Sequence, residues 1–189
     1  MAAMGRTYDR LDAPIINFIR RQHVFFVASA PSAGGHVNVS PKGLDSLRVL
    51  DDRRIAYLDL TGSGAETIAH VRDNGRLTFM FCAFEGKPRI VRLQGTGTVI
   101  TRSDPTFADV AAPFPMRRGA RAVIVLEVDR VADSCGYSVP LYNFVGERDV
   151  LDRWVDGRTD DELRDYRLER NAVSIDGAPA WSTSDDVAT

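Results

Sequence analysis

The segment TGSGAET, residues 61–67, has the residue types of an anion-binding turn. It follows a predicted strand and opens a predicted helix, and its glycines let a ligand approach the backbone closely. The first amides of a helix point outward with a partial positive charge, so they favour a phosphate group. A dinucleotide fingerprint is excluded because its third glycine would stand where Thr67 is. Two interpretations remain, namely a phosphate site or a turn in which Thr61 or Ser63 caps the helix.

Two basic side chains lie on predicted strands near this chemistry. Lys42 ends the polar strand of NVSPKG, where it would either contact an anion or remain a solvated turn residue. Arg92 shares a strand face with Gln94, opposite Val91 and Leu93. An arginine within a strand needs an anionic partner or an interface, so a ligand contact and a dimer salt bridge both stay open.

The loop SCGYSVP, residues 134–140, offers Tyr137 as a cover for a flat ring. Cys135 lacks a sequence neighbour that would stabilise its thiolate, so we do not expect it to be a nucleophile. Two cysteines and three histidines without metal-ligand spacing disfavour a zinc site. The absence of a GxSxG elbow disfavours a serine hydrolase.

The composition is that of a soluble globular protein, with 189 residues, 44% hydrophobic and 26% charged. A formal charge of −2 argues against nucleic acid as a partner. No apolar run reaches the roughly 20 residues that span a bilayer, and the N-terminus lacks the apolar core of a signal peptide. We therefore expect a cytoplasmic protein with no membrane partner.

The hydrophobic pattern predicts a β-rich chain. A helix is predicted at 11–22, a second at about 65–73, and a third after Ser103-Asp104-Pro105, with the proline in its first turn. Six strands with short links favour a mainly β fold, an antiparallel barrel with short flanking helices. The strands are predicted at 23–30, 36–40, 54–60, 75–84, 89–100 and 121–131.

The last forty residues have a different character. Residues 150–189 are charged, with sparse apolar anchors. We expect residues 1–149 to form the barrel domain, and residues 150–189 to form a helical extension on the barrel or on a second subunit. The final eight residues or so are expected to be disordered.

Together these segments resemble the pyridoxamine 5′-phosphate oxidase-like family of FMN-binding split barrels. The match runs from about Asn17 to Val145, through FFVASA, GHVNVSPKGLD, AYLDLTGSGAET, PRIVRLQGTG and SCGYSVPLYNFVGERD. The resemblance implies a six-stranded antiparallel split barrel. It also implies a homodimer that holds two FMN molecules in grooves between its subunits.

The resemblance also assigns residues to the cofactor. The strand that ends in Lys42 would run along the flavin, with Asn38 and Ser40 toward the ring edge. Glu66-Thr67 stand where the family's oxidases carry Arg-Lys for the phosphate, so Arg92 is expected to serve as a more distant phosphate arginine. We also expect that a side chain at Gly62 or Gly64 would occupy the phosphate's space or forbid a positive φ. The complete set of expected cofactor contacts is Val37, Asn38, Val39, Ser40, Lys42, Asp59, Leu60, Thr61, Gly62, Ser63, Gly64, Thr67 and Arg92.

The implied function is an FMN-dependent oxidoreductase that acts on an unidentified small molecule, with Lys42 and Tyr137 as catalytic residues. The residues that bind the substrate phosphate in the family's oxidases have no recognisable counterpart here. The alternative is a carrier that binds FMN, a deazaflavin or haem without turnover. A deazaflavin would need a basic groove, for which the candidates are Arg53, Arg54, Arg117, Arg118 and Arg121.

Overall fold

A computed structural model describes residues 5–115 and 117–187. In these residues eight strands form one antiparallel sheet, with five α-helices around it. The strands are β1 Arg6–Tyr8, β2 Phe25–Ser29, β3 Asn38–Lys42, β4 Leu47–Val49, β5 Arg54–Leu60, β6 Arg76–Cys82, β7 Ile90–Thr101 and β8 Ala120–Ser134. The helices are α1 Ala13–Ile19, α2 Glu66–Asn74, α3 Phe107–Ala111, α4 Val150–Asp156 and α5 Asp160–Arg170.

The sheet follows the order β3-β2-β6-β7-β8-β5-β4, with β1 also paired to β8. It curls, so that β3 at one end approaches β5 near the other. A 3.2 Å contact between Lys42 Nζ and Asp59 Oδ1 joins the two ends. The curled sheet and its short helices confirm the predicted mainly β split-barrel class. The closure also brings together two sequence segments that are predicted to bind one ligand.

The core lies between the concave face of the sheet and two helices. Ile15 and Ile19 of α1, and Ile68 and Ala69 of α2, pack with the inward side chains of the strands. Helix α2 ends at Gly75, whose φ of 70° is the left-handed conformation that favours glycine. Because α2 packs into the barrel core, its N-terminus is positioned at the end of β5.

Each of the six predicted strands is present, with ends shifted by a few residues. The structure adds β1 and β4, which have only three residues each and no readable alternation. The predicted third helix begins later than expected, at Phe107, and Pro105 precedes it. The Asp104 carboxylate instead accepts hydrogen bonds from Thr106, which makes this segment a turn before the helix.

The C-terminal segment folds against the barrel. Ala180 and Trp181 are buried in the barrel core, and Leu168 of α5 packs against that core. A 3₁₀ turn, Thr183–Asp186, follows. About the last eight residues were expected to be disordered; the structure describes residues 182–187 in and around this turn, and residues 188–189 lie outside the described part. Two ion pairs across the fold, Arg72–Asp185 and Arg167–Asp186, hold the turn.

Candidate functional site

The turn between β5 and α2 presents an uncapped helix N-terminus. No side chain of the described residues caps the first turn of α2, whose N-cap residue is Ala65. The Thr61 hydroxyl makes no bond to a helix amide, and it accepts a hydrogen bond of 3.2 Å from Arg167. The structure therefore contradicts the interpretation of TGSGAET as a turn that caps the helix. The free amides leave this turn chemically suited to an anion.

Two buried side chains hold the carbonyl groups of the turn. Asn171, which follows α5, donates from Nδ2 to the Gly62 carbonyl oxygen at 2.9 Å. Arg121, near the start of β8, donates to the Gly64 carbonyl oxygen at 2.9 Å. Arg121 also donates to the Asn171 side-chain oxygen at 2.6 Å. These hydrogen bonds fix the backbone conformation of the turn on its buried side.

The two glycines of the turn differ from expectation. Neither Gly62 nor Gly64 has a positive φ, so the expected conformational reason for glycine is wrong at both positions. A Cβ at Gly62 would lie in open space, with the Leu60 carbonyl oxygen nearest at 3.8 Å. A Cβ at Gly64 would collide with the carboxylate of Glu66, which accepts a hydrogen bond from the Ile175 amide. Open approach to the backbone remains the reason for glycine at position 62.

A buried carboxylate links this turn to the lysine of β3. Asp59 is only 1% exposed. Its Oδ2 lies 2.6 Å from Arg121 Nε, and its Oδ1 lies 3.2 Å from Lys42 Nζ. Burial alone would raise the pKa of Asp59, but the charges and hydrogen bonds of Arg121 and Lys42 hold that pKa below the usual 3.8. Two cations share one carboxylate, so the group carries an excess positive charge.

Strand β3 presents a polar row toward α2 and an apolar row outward. Asn38, Ser40 and Lys42 are half-buried, whereas Val37 and Val39 are 72% and 58% exposed. Asn38 Nδ2 donates to the Thr67 hydroxyl at 3.1 Å, and Ser40 donates to the Asn38 side-chain oxygen at 3.2 Å. The structure therefore brings the polar residues of β3 to the first turn of α2. The two valines face away from this row.

Arg92 does not join this group within the subunit. It pairs with Ala132 across the sheet and donates to the Ser134 hydroxyl at 3.2 Å. Asp59, which precedes the turn, pairs with Ala122, and Ala122 pairs with Thr101, nine residues along β7 from Arg92. The arginines that contact the turn within one chain are Arg121 and Arg167, and a phosphate role for Arg92 stays a prediction.

Tyr137 also lies apart from Lys42. It is 75% exposed and lines a cavity of about 1130 Å³ with Phe84, Arg89, Cys135 and Phe144. None of the residues 37–42 or 58–67 lines that cavity. Within one chain the two expected catalytic residues therefore do not face a common space.

The proposed basic groove is largely neutralised by the protein itself. Arg54, Arg117, Arg118 and Arg121 each pair with an aspartate of the same chain. Each pair offsets the positive charge that these four arginines could present to a polyanionic tail. Within the described residues, no helix combines the length and apolar character needed to cross a bilayer.

The sequence of this chain matches the model of a known protein family. The family model named pyridoxamine 5′-phosphate oxidase matches residues 11–135. The chain belongs to the pyridoxamine 5′-phosphate oxidase family. The matched region contains the polar row of β3, the turn after β5 and Arg121, whereas Asn171 and Arg167 lie beyond it.

One relative supports this family assignment, and two solved structures share the fold. The family protein ustO of Aspergillus flavus is 41% identical over 198 residues, covering 91% of this chain and 76% of that protein. A crystal structure from Lactobacillus delbrueckii, described as a candidate pyridoxamine 5′-phosphate oxidase, matches with a TM-score of 0.52 at 21% identity. It covers 68% of this chain and 98% of its own. A HupZ variant from Group A Streptococcus matches with a TM-score of 0.51 at 21% identity, over 65% of this chain and 98% of its own. At such identities the two structures show the shared fold.

The sequence does not predict the contacts that Arg121, Asn171 and Arg167 make with the turn. It marks Arg121 only as one of five arginines for a basic groove, although Arg121 stands in an apolar strand and is 4% exposed. Its position in that run is the signal that could have marked it as a buried partner of an acid. Asn171 and Arg167 carry no comparable local signal, because their contacts with the turn span more than a hundred residues of sequence.

Proposed function

We propose that this chain is an FMN-dependent oxidoreductase that acts on a small molecule. The observation that carries the proposal is the uncapped turn at residues 61–65, whose amides lie beside the Lys42–Asp59–Arg121 group. Family membership supports a flavin at this place in the fold. When bound, FMN supplies a ring that accepts and donates hydride.

The residues present fit the phosphate group of FMN. The first amides of α2 are uncapped, the surface at Gly62 is open, and a net positive group lies behind the turn. Glu66 opposes an anion, so affinity must come from several amides together with the hydroxyls of Ser63 and Thr67. Charge-assisted hydrogen bonds of this kind contribute about 1.5–3 kcal/mol each.

The polar row of β3 then has a defined role. Asn38 and Ser40 present hydrogen-bonding groups to the ring edge, and Lys42 places a cation held by Asp59 near the ring. Asp59 keeps Lys42 oriented, while the ring of Tyr57 lies 5.1 Å from Lys42 Nζ. The lysine can therefore stabilise negative charge on a reduced flavin or on a substrate.

The purified protein provides the direct test. We expect a flavin absorbance spectrum that bleaches with a nicotinamide donor and recovers in air. A protein that binds FMN but is never reduced would support a carrier in place of an enzyme. A protein that binds no flavin would contradict the proposal.

Replacing Lys42 with methionine should change the redox behaviour of bound FMN more than its retention. The substitution removes a cation but leaves Asp59 paired with Arg121. We expect the reduction potential of the flavin to fall, while FMN affinity changes by less than about tenfold. Dye-equilibration potentiometry measures the first quantity and fluorescence titration the second. Lys87→Met, at the chain's other lysine, is the control, and an unchanged potential in Lys42→Met would contradict the assigned role.

We also propose that the chain forms a homodimer. Large apolar side chains are exposed in the loop after β8, among them Tyr137, Leu141 and Val145. Val37 and Val39 add exposed apolar surface on the edge strand β3. A second copy would cover such surfaces, and two-fold symmetry is the common solution. Light scattering at micromolar concentration should give twice the mass of the chain, whereas a monomer would refute this proposal.

A further inference from the structure

The C-terminal segment reaches underneath the phosphate turn. Asn171 is fully buried, and both ends of its side-chain amide are used. Its nitrogen donates to the Gly62 carbonyl oxygen, and its oxygen accepts from Arg121. Its backbone amide donates to the Arg167 carbonyl oxygen at 2.8 Å, which fixes the residue at the end of α5. Asn171 is thus a rigid contact between α5 and the turn.

These contacts determine where the amides of the turn point. The described peptide bonds are all trans, and in a trans peptide the carbonyl and the following amide point in opposite directions. Because Asn171 holds the Gly62 carbonyl inward, the Ser63 amide points away from α5. Arg121 does the same to the peptide that joins Gly64 and Ala65. No backbone acceptor in the described part of the chain pairs with the amides of Ser63 and Ala65.

We propose that Asn171 is a positioning residue of the cofactor site, which aims the Ser63 amide at the FMN phosphate by holding the Gly62 carbonyl behind the turn. This inference rests on the proposed function. It makes the C-terminal segment a component of the phosphate site through the contact of Asn171 with Gly62. Preorganised amides of this kind bind an anion without paying for reorganisation.

Contacts that do not involve Asn171 also dock the C-terminal segment. Arg72 lies 2.6 Å from Asp185, and Arg167 lies 2.6 Å from Asp186. The buried indole of Trp181 adds an apolar anchor, and its nitrogen donates to Asp186 at 2.9 Å. The Arg72–Asp185 pair joins the segment to the last turn of α2, at the end of that helix opposite the phosphate turn. The segment therefore offers a matched control for a purely structural role.

The experiment compares FMN with riboflavin, which has the same ring and no phosphate. Dissociation constants for both are measured by fluorescence quenching in the parent, Asn171→Ala and Asp185→Asn. We expect Asn171→Ala to weaken FMN by about tenfold while riboflavin affinity stays the same. Asp185→Asn should lower thermal stability and leave the preference for FMN over riboflavin unchanged. Asn171→Asp, which retains the contact with Arg121, should also lose preference for FMN.

The outcomes separate this inference from the proposed function. If the parent prefers FMN and a folded Asn171→Ala or Asn171→Asp protein keeps that preference, the positioning role is wrong and the proposed function survives. If Asp185→Asn loses the preference equally, the effect belongs to docking of the whole segment, and the specific role of Asn171 is refuted. A parent that binds neither ligand contradicts the proposed function, and the positioning role with it.

Discussion

Replacing Asp59 with asparagine is expected to lower the free energy of unfolding by about 3–5 kcal/mol, the usual cost of breaking a buried ion pair from one side. The substitution keeps the shape of the side chain but removes the only negative charge that faces Arg121 and Lys42 within this group. Arg121 would remain buried with its charge uncompensated. Urea unfolding, followed by circular dichroism, measures the loss.

An exposed pair provides the control. Asp149 and Arg153 form a surface ion pair with both side chains about 70% exposed, so Asp149→Asn should leave stability nearly unchanged. Equal small losses in both variants would show that the buried group is not a stabilising centre.

The same carboxylate makes stability depend on pH. The pKa of Asp59 is lower in the folded protein than the usual 3.8, so the unfolded chain takes up the proton first on acidification. The stability contributed by Asp59 is therefore present above about pH 4 and is lost as the pH falls through the folded pKa. The difference between the parent and Asp59→Asn should accordingly shrink below about pH 4.

Replacing Gly62 with valine is expected to weaken FMN binding by more than about a hundredfold with the fold intact. The backbone at Gly62 is not in a glycine-only conformation, and a side chain there meets open space in the protein alone. The added side chain would, however, occupy the surface on which the phosphate must lie. Flavin fluorescence titration gives the affinity, and circular dichroism and thermal unfolding check the fold.

Gly157→Val is the matched control, because Gly157 also lacks a positive φ and lies between α4 and α5, outside the turn. It should bind FMN as the parent does. Valine at Gly64 is a less clear test, since the Glu66 carboxylate would have to move first. Parent-like FMN affinity in Gly62→Val would place the phosphate elsewhere.

Local sequence patterns predicted the strands, the helices and the face on which a strand side chain lies, because these depend on neighbouring residues. The alternation in β3 correctly separated Asn38 and Ser40 from the exposed valines, and the run before TGSG correctly predicted a strand that leads into a helix. The resemblance to the family supplied the split-barrel class.

What the sequence did not reveal is the buried polar layer behind the turn. Asp59 was expected as a cofactor contact, and its contacts show a buried acid that pairs with Arg121 and Lys42. The partners of the turn, Asn171 and Arg167, come from the C-terminal segment, which was expected only to pack on the barrel or on a second subunit. Such contacts depend on how distant elements meet, and no periodicity or spacing encodes them.

The central claim is that this chain binds FMN with its phosphate at residues 61–65. The most direct measurement is the ratio of the dissociation constants of riboflavin and FMN for the parent protein, obtained by fluorescence quenching under identical conditions. Several amide contacts to a phosphate predict that FMN binds at least about a hundredfold more tightly than riboflavin. Equal affinity for the two ligands, or no binding of either, would contradict the account.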